Sequence, residues 1–283
     1  MKTKLMQCLA ALALLLSANA AQAAISCSIS SPGFIAGYTP TDVATDITQS
    51  SFSISCTRGL VTDPLTTTYS VTVNNGLNPA GGGKNQAASG ANRLAYDTYT
   101  DSGCATQWKG ATTIPSPAGT ITMSGLTPTT VTHNFWGCIA AGLTPVAGTY
   151  TDTVTMTPTY SAGVTGGTNT FPVTIITPAT CTIASIPNIT LAYGNAFSST
   201  AVTATTSAPL TCTNAVPYTL AVSPTSGVSA GINYSLSLPA SGTGTGLSQG
   251  ITITATAPAN QAGTCGTGTC TGVAQLHTLT VTY

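Results

Sequence analysis

The sequence has 283 residues, which is enough chain for about two domains. Charged residues make up only 4% of it, six basic residues balance six acidic ones, and 42% of the residues are apolar. This composition excludes a basic nucleic-acid-binding surface, a polybasic membrane patch and the low-hydrophobicity, high-charge pattern of a disordered chain.

The first 23 residues have the features of a secretory signal peptide. Lys2 and Lys4 precede an apolar run from residue 5 to residue 16, and residues 21–23 (Ala-Gln-Ala) form a small-x-small cleavage site. The alternative, a membrane anchor, is disfavoured because the run is shorter than the roughly 20 residues that span a bilayer. We predict cleavage after Ala23, export, and no membrane span in the mature chain.

Cleavage leaves eight cysteines, an even number that is typical of disulfides in an exported chain. Cytosolic metal sites are the alternative, but the sequence has no C-x-x-C motif and its two histidines are far apart. Cys265 and Cys270 have a spacing that suits a ligand pair, yet no further ligand lies near them. We therefore expect neither a metal nor another cofactor.

Two stretches of the chain repeat one pattern of alternating strands. Each stretch contains two cysteines about 30 residues apart, followed by a strand such as 69–73 or 218–222, and each closes on a longer alternating strand, 152–160 or 277–283. Asn75-Gly76 is a hairpin signal, and residues 77–92 are predicted to form a long loop. The pattern indicates an all-β protein with two immunoglobulin-like β-sandwich domains in tandem, residues 24–160 and 181–283.

Residues 161–180 are predicted to link the two domains. Glycine-rich residues 161–169 read as a flexible joint, and Phe171, Val173 and Ile175 then alternate with polar residues. Those three side chains either complete the first domain, beside the 152–160 strand, or begin the second. The residues alone leave both possibilities open.

The repeat limits the possible disulfides. If each unit folds alone, four cysteines in each leave three possible pairings per unit. The pairing we favour is Cys27–Cys56, Cys104–Cys138, Cys181–Cys212 and Cys265–Cys270, of which the first and third join equivalent strands of the two copies.

The residues give little support for an enzyme. Asp97 and Asp101 flank Tyr99 and are interpreted as solvated turn residues rather than a carboxylate pair. His133 lies in a β pattern, and His277 has no acidic residue in its own domain to orient it as a base. The sequence contains no nucleophile-elbow, zinc-protease or phosphate-loop motif. We expect a non-enzymatic protein.

Several motifs resemble those of the spore coat protein U domain family, the module of Csu-type archaic chaperone–usher pilus subunits. The resemblance covers residues 25–160 and rests on the Cys27…Cys56 pair, Gly37-Tyr38-Thr39-Pro40, Arg93-Leu-Ala-Tyr96-Asp-Thr-Tyr99, Trp108-Lys-Gly110 and Gly148-Thr-Tyr-Thr-Asp152-Thr-Val154. Residues 181–283 resemble a diverged copy that keeps Cys181…Cys212, Tyr193-Gly194 and Asn233-Tyr234-Ser-Leu236 but lacks the tryptophan and the Tyr-x-Asp ending.

The resemblance implies a secreted pilin assembled by donor-strand exchange. Its implied partners are a periplasmic chaperone, an outer-membrane usher, a neighbouring pilin that donates a strand, and a host or abiotic surface. The implied location is the surface of a Gram-negative bacterium, and the implied role is attachment and biofilm formation. The alternative is a free secreted coat or matrix protein that does not polymerise.

The ends of the chain predict a position at the tip of the fibre. After the predicted cleavage only three residues precede Cys27, too few to donate a strand, and no segment like 170–177 follows Tyr283. The second domain is therefore expected to lack its last strand and to expose an acceptor groove beside Leu279, Val281 and Tyr283. In the first domain, the candidate adhesive loop residues are Leu60, Val61, Ile139, Leu143 and Val146.

Overall fold

A computed structural model describes residues 25–109, 116–264 and 272–283, and these residues form strands and connecting loops. The all-β prediction is confirmed for this part of the chain. The predicted signal peptide and the cysteine pair Cys265 and Cys270 lie outside the described residues. In the described ranges, no helix is long and apolar enough to cross a membrane.

The first unit contains eleven strands in one continuous sheet. They are β1 (Ile25–Ser30), β2 (Phe34–Gly37), β3 (Asp46–Arg58), β4 (Thr66–Val73), β5 (Asn85–Ser89), β6 (Asn92–Tyr99), β7 (Ala118–Thr122), β8 (Thr129–Ile139), β9 (Gly148–Tyr160), β10 (Val164–Gly166) and β11 (Asn169–Thr177). Along the sheet the order is β10-β1-β3-β8-β6-β5-β9-β11-β2, and β4 pairs with both β9 and β7. The β5–β6 hairpin therefore joins the half that contains β1, β3 and β8 to the half that contains β4, β9 and β11.

The two halves of this sheet face each other across an aromatic core. Strict alternation sends every second side chain inward, so that Phe52 and Ile54 of β3 are buried while Ser53 between them points outward. Phe135 of β8 lies 5.2 Å, centroid to centroid, from Phe171 of β11 in the opposite half. Trp108 is fully buried beside both rings, 5.2 Å from Phe135 and 6.4 Å from Phe171, and donates its indole N–H to the carbonyl of Val71 at 2.8 Å. These rings fill the centre of the unit.

Strand β11 belongs to the first unit, which settles the alternative that the sequence left open. It pairs antiparallel with β9 along its whole length and parallel with β2, so it lies between them. Phe171, Val173 and Ile175 are all fully buried in the first core. Gly33 adopts φ of +73° just before β2, where a Cβ would collide with the carbonyl oxygen of Pro172, and this brings β2 alongside β11. The sheet of the first unit therefore extends to Thr177, beyond the predicted boundary at residue 160.

Two predicted loops contain strands. Residues 161–169 are not a flexible joint, because β10 pairs parallel with β1 from Val164↔Ile25 to Gly166↔Cys27. Residues 77–92 are not one long loop, because β5 forms a hairpin with β6. Both strands are short, and β5 has no β-branched residue, so local propensity did not reveal them, and pairing with a neighbouring strand defines them instead.

The described residues of the second unit form eight strands in two sheets. They are β12 (Cys181–Ile183), β13 (Val202–Cys212), β14 (Pro217–Ser223), β15 (Ser226–Ser229), β16 (Ile232–Ser237), β17 (Ser241–Thr243), β18 (Ser248–Ala257) and β19 (Thr278–Thr282). One sheet has the order β12-β13-β18-β16-β15 and the other the order β17-β14-β19. Its buried apolar residues fall into two small clusters rather than one large core.

Three disulfides are formed among the described cysteines. They join Cys27 to Cys56, Cys104 to Cys138, and Cys181 to Cys212, the pairs that the repeat favoured. The first and third staple directly opposed residues of equivalent strand pairs, β1 with β3 and β12 with β13, and both have a Cα–Cα distance of 4.1 Å. The two units therefore begin with the same disulfide-linked pair of antiparallel strands.

Candidate binding groove in the second unit

An open groove of about 660 Å³ runs along the second unit. One wall is the irregular segment 186–191, the other is formed by residues 272–279, and Ile232, Ile253 and Ala255 lie among its lining residues. The lining combines apolar side chains with nearly as much polar surface, and at one side the tip of His277 and the hydroxyl of Tyr234 are hydrogen-bonded to each other at 2.7 Å. A groove of this kind suits an extended peptide segment, which presents apolar side chains together with backbone polar groups.

The groove lies where the first unit has β11. Strands β4 and β9 of the first unit correspond to β14 and β19 of the second, because each pair follows the equivalent disulfide and closes its unit. On the far side, Phe34 and Ala36 of β2 precede Tyr38 at the spacing at which Ile189 and Leu191 precede Tyr193. The segment that ends at Leu191 is thus the counterpart of β2, and the space between it and β19 is the counterpart of the β11 position.

The backbone on both sides of the groove is available for pairing. Among the described residues, β19 forms a ladder only with β14, so its other edge is free of strand partners. Segment 186–191 has no strand conformation, and the carbonyl of Pro187 accepts a hydrogen bond from the Thr206 side chain of β13 at 3.0 Å. An extended chain placed between them would find unpaired peptide groups on two sides.

The three residues predicted to border this groove are incompletely covered. Leu279 and Val281 of β19 are half-buried and pack against the second core, and Tyr283 is 57% exposed. In the first unit, by contrast, the apolar inward-facing side chains of β9 are fully buried beside Phe171, Val173 and Ile175 of β11. The difference in burial has a simple cause, namely that β9 has a neighbour on each edge and β19 has one.

The candidate adhesive residues Leu60 and Val61 lie on the loop between β3 and β4, at the end of the first unit farthest from Asp46. Their side chains are 61% and 72% exposed. The loop is held in place because the Arg58 guanidinium donates to the carbonyl of Asp63 at 2.7 Å and the Leu60 N–H donates to the Asp63 carboxylate at 2.6 Å. Leu126, 48% exposed, lies on the β7–β8 loop at the same end. These apolar side chains are therefore presented to solvent by an ordered loop.

The other three candidates lie elsewhere. Ile139 is 1% exposed at the end of β8, because the inward alternation of that strand continues through it, so its assignment to an exposed loop was wrong. Leu143 is half-buried against the first core, and Val146 forms a β-bridge with Asn214 of the second unit. The 140–147 loop is thus at the end of the first unit that meets the second, opposite the Leu60 loop.

The acidic and histidine residues weighed as catalytic candidates have structural contacts. Asp101 accepts hydrogen bonds from the N–H groups of Gly103, Ala105 and Thr106, and these lower the pKa of its carboxyl, as expected of a turn residue. Asp97 is not the solvated turn residue that the sequence predicted, because its side chain is only 3% exposed and forms an ion pair with Lys109. His133 bonds the Tyr69 hydroxyl at 2.6 Å, and its burial lowers the pKa of the imidazole. Among the described residues, no group of three or more His, Cys, Asp or Glu side chains is placed to hold a metal ion.

Comparison with known proteins identifies one family. The family model of the Spore Coat Protein U domain matches residues 12–157 and 167–243, which together are more than half of the chain and include parts of both units. No curated protein matches the chain.

Several solved structures are similar at low sequence identity. A chain of the CsuC–CsuE chaperone–tip adhesion subunit pre-assembly complex, from the archaic chaperone–usher Csu pili of Acinetobacter baumannii, is 13% identical, with a TM-score of 0.46 and coverage of 91% of this chain and 100% of that one. The CupB6 tip adhesin from Pseudomonas aeruginosa is 10% identical, with a TM-score of 0.40 and coverage of 90% and 93%.

Proposed function

The chain belongs to the spore coat protein U domain family, and from that membership we propose that it is a two-domain subunit of a chaperone–usher pilus. In this proposal the second unit binds a donated strand in its open groove and the first unit is displayed for surface attachment. The domains are residues 25–177 and 181–283, because β11 pairs within the first sheet.

The groove between β19 and segment 186–191 carries the proposal. In the first unit the equivalent space is filled by β11, antiparallel to β9 and parallel to β2. A strand from another subunit would take the same place in the second unit, antiparallel to β19, and would supply main-chain hydrogen bonds on both sides. The arrangement of β11 in the first unit supports this proposal, because it fills the equivalent position with a strand of the same chain.

Burial of side chains would supply most of the binding free energy. On β11, three apolar residues at alternate positions enter the core, and a donor strand with the same alternation would bury three in the groove. At about 1.5–3 kcal/mol for each buried side chain, this gives roughly 5–9 kcal/mol before the cost of ordering the strand. The binding partner is therefore an extended segment with alternating large apolar residues.

The partners and location follow from an incomplete domain. A groove with free backbone edges aggregates unless it is covered until assembly, so we propose a periplasmic chaperone as the first occupant. An outer-membrane usher would then exchange the chaperone for the donor strand of a neighbouring pilin, and the fibre would stand on the surface of a Gram-negative cell. A role in biofilm formation is part of the same proposal.

A position at the tip is supported by the use that the first unit makes of β1. Ile25 is 1% exposed and pairs with both Arg58 and Val164, so β1 is held on both edges within its own unit. The first unit also has its β11 position filled from its own chain. We propose that this unit forms the distal end and that Leu60 and Val61 contact the target surface.

A peptide copying the N-terminal extension of the pilin from the same assembly system should bind the second unit. At a free concentration about 100-fold above Kd, binding would add about 2.7 kcal/mol of stability and raise the Tm of the second unit by about 10–20 °C. Differential scanning calorimetry of the full chain would measure this shift. A peptide whose alternating apolar residues are changed to serine is the matched control and should leave the Tm unchanged.

Variants of the groove wall test the same site. Leu191→Asp places a charge on the half-buried wall and should abolish the peptide-dependent rise in Tm, whereas Ala192→Asp, at an exposed neighbouring position that does not line the groove, should retain it. If the wild-type chain shows no rise with the pilin peptide, the pilus assignment fails and a free secreted coat or matrix protein becomes the better interpretation.

Replacing Leu60 and Val61 with serine should reduce attachment of cells or of purified protein to hydrophobic surfaces. Both side chains are largely exposed, so the effect on stability should stay within about 0.5 kcal/mol. Val43→Ser is the control, because Val43 is 96% exposed but lies before β3, at the opposite end of the unit. Equal attachment by the folded double variant, the control and the wild type would remove the Leu60 loop as the adhesive surface.

A further inference from the structure

Five polar side chains are buried together in the first unit, although the chain has few charges. Lys109, Asp97 and Asp152 are 5%, 3% and 4% exposed, Asn85 is fully buried, and Tyr96 is 3% exposed. They come from β5, β6, β9 and the segment that ends at Lys109. A buried lysine is uncommon, and its surroundings determine what its amine can do.

An amine, a carboxamide and a carboxylate meet at the centre of this cluster. Lys109 Nζ lies 2.7 Å from Asp97 Oδ1 and also contacts Oδ1 of the Asn85 side chain. The amide carbon of Asn85, one bond beyond that oxygen, is thereby within reach of the lysine nitrogen. Asn85 Nδ2 points away from the lysine and donates to the Tyr96 hydroxyl at 3.3 Å, and that hydroxyl donates to Asp152 at 2.7 Å.

We propose that Lys109 and Asn85 become joined by an intramolecular isopeptide bond, with Asp97 as the proton relay and ammonia as the leaving group. Nothing outside the cluster is consumed, because the reaction is an exchange of one amide nitrogen for another. The bond would tie β5 to the segment after β6, over the strand that lies between them.

The reaction has three steps, and atoms and charges balance across them. Asp97 removes a proton from the lysine ammonium, and the freed lone pair on Nζ attacks Cγ of Asn85 to form the new C–N bond. The Cγ–Nδ2 bond then breaks while Asp97 returns its proton to Nδ2. Loss of the remaining Nζ proton to the departing ammonia leaves a neutral secondary amide and an ammonium ion.

The surroundings favour the neutral amine that this attack requires. Burial lowers the pKa of Lys109, because desolvation disfavours the ammonium more than Asp97 stabilises it, and the positive charge of Lys84 adds to the lowering. Lys84 is an exposed lysine whose Nζ lies 3.6 Å from Asp97 Oδ2. When Lys109 becomes an amide, Lys84 remains as the counter-charge of Asp97, and Asp152 keeps its hydrogen bonds from the Tyr96 hydroxyl and from the N–H groups of Leu77 and Thr153.

The alternative is a permanent buried ion pair between Lys109 and Asp97. Such a pair carries a desolvation penalty that can exceed its Coulombic gain, and forming the amide removes the buried cation. The two possibilities differ in covalent mass, and so they can be separated without any measurement of stability or assembly.

Tryptic mapping of the exported full chain tests the proposal directly. Trypsin cleaves after Lys84, Arg93 and Lys109, and the sequence contains no lysine or arginine after Lys109. With the bond present, peptide 85–93 should be missing in free form and should be found attached to the peptide that contains Lys109. The linked species should be lighter than the sum of its parts by one ammonia, and cleavage after Lys109 should be lost.

An Asp97→Ala variant should yield the two peptides unlinked and at full mass, whereas Asp101→Asn, at the neighbouring turn, should keep the link. If Asp97→Ala does not fold, the wild-type map still decides. Free peptide 85–93 together with a peptide ending at Lys109 in the folded wild type would overturn the proposal. A link that has lost water and joins Lys109 to Asp97 would overturn the assignment to Asn85.

Discussion

Replacing Phe171 with alanine should lower the free energy of unfolding of the first unit by about 3–5 kcal/mol. Its ring is fully buried, 5.2 Å from the Phe135 ring and 6.4 Å from the Trp108 ring, centroid to centroid. Removing it leaves a cavity at the centre of a core that the β-sheet surrounds on two sides and cannot easily refill. A loss of unfolding free energy of this size is typical of a residue in the centre of a core and not of a residue in a linker.

Urea unfolding followed by tryptophan fluorescence would measure this change, because both tryptophans of the chain, Trp108 and Trp136, lie in the first unit. Ile176→Ala is the matched control. Ile176 is on the same strand but is 46% exposed, so its truncation should have a much smaller effect. Equal, small effects at both positions would mean that β11 does not complete the first unit in solution.

Where side chains alternate strictly, the sequence was sufficient to predict structure. Strands β4 and β9 and the equivalence of Cys27…Cys56 with Cys181…Cys212 were all visible as periodicity or repetition. The two possible placements of Phe171, Val173 and Ile175 have the same alternation, however. Only the pairing with β9 distinguishes them, and pairing is a long-range property.

The features that could not be predicted depend on partners distant in sequence. Asp97 resembles Asp101 locally, yet Asp97 is buried on β6 and pairs with Lys109, while Asp101 caps a turn. Ile139 reads as part of a loop after Cys138, but the inward face of β8 continues to its last residue. In each case burial is fixed by a neighbouring strand rather than by the residues on either side.

The groove in the second unit could be predicted only in part. Its existence was predicted from the repeat, because the second unit lacks a counterpart of residues 170–177. Its second wall was not predicted, because segment 186–191 forms no strand, and only comparison with β2 identifies this segment as the other wall. One signal was available in the sequence, namely the matching placement of Phe34 before Tyr38 and of Ile189 before Tyr193.

Removing equivalent disulfides should affect the two units differently. Changing both Cys27 and Cys56 to serine opens a loop with a sequence separation of 29 residues, and the same change at Cys181 and Cys212 opens one of 31. Loop-closure entropy predicts nearly equal losses of about 3–4 kcal/mol, because the loop lengths are nearly equal. Replacing both partners of each pair avoids leaving a reactive thiol in either variant.

The consequence of that equal loss depends on the core that remains. The first unit keeps its aromatic core sealed by β11, so it should stay folded at ambient temperature with a lowered Tm. The second unit has two small clusters beside an open groove, and we expect the same loss to unfold it unless a donor peptide is bound. Hydrogen exchange read by mass spectrometry would report each unit separately. Full protection of the second unit in the Cys181→Ser, Cys212→Ser variant without peptide would show that it is stable without a donated strand.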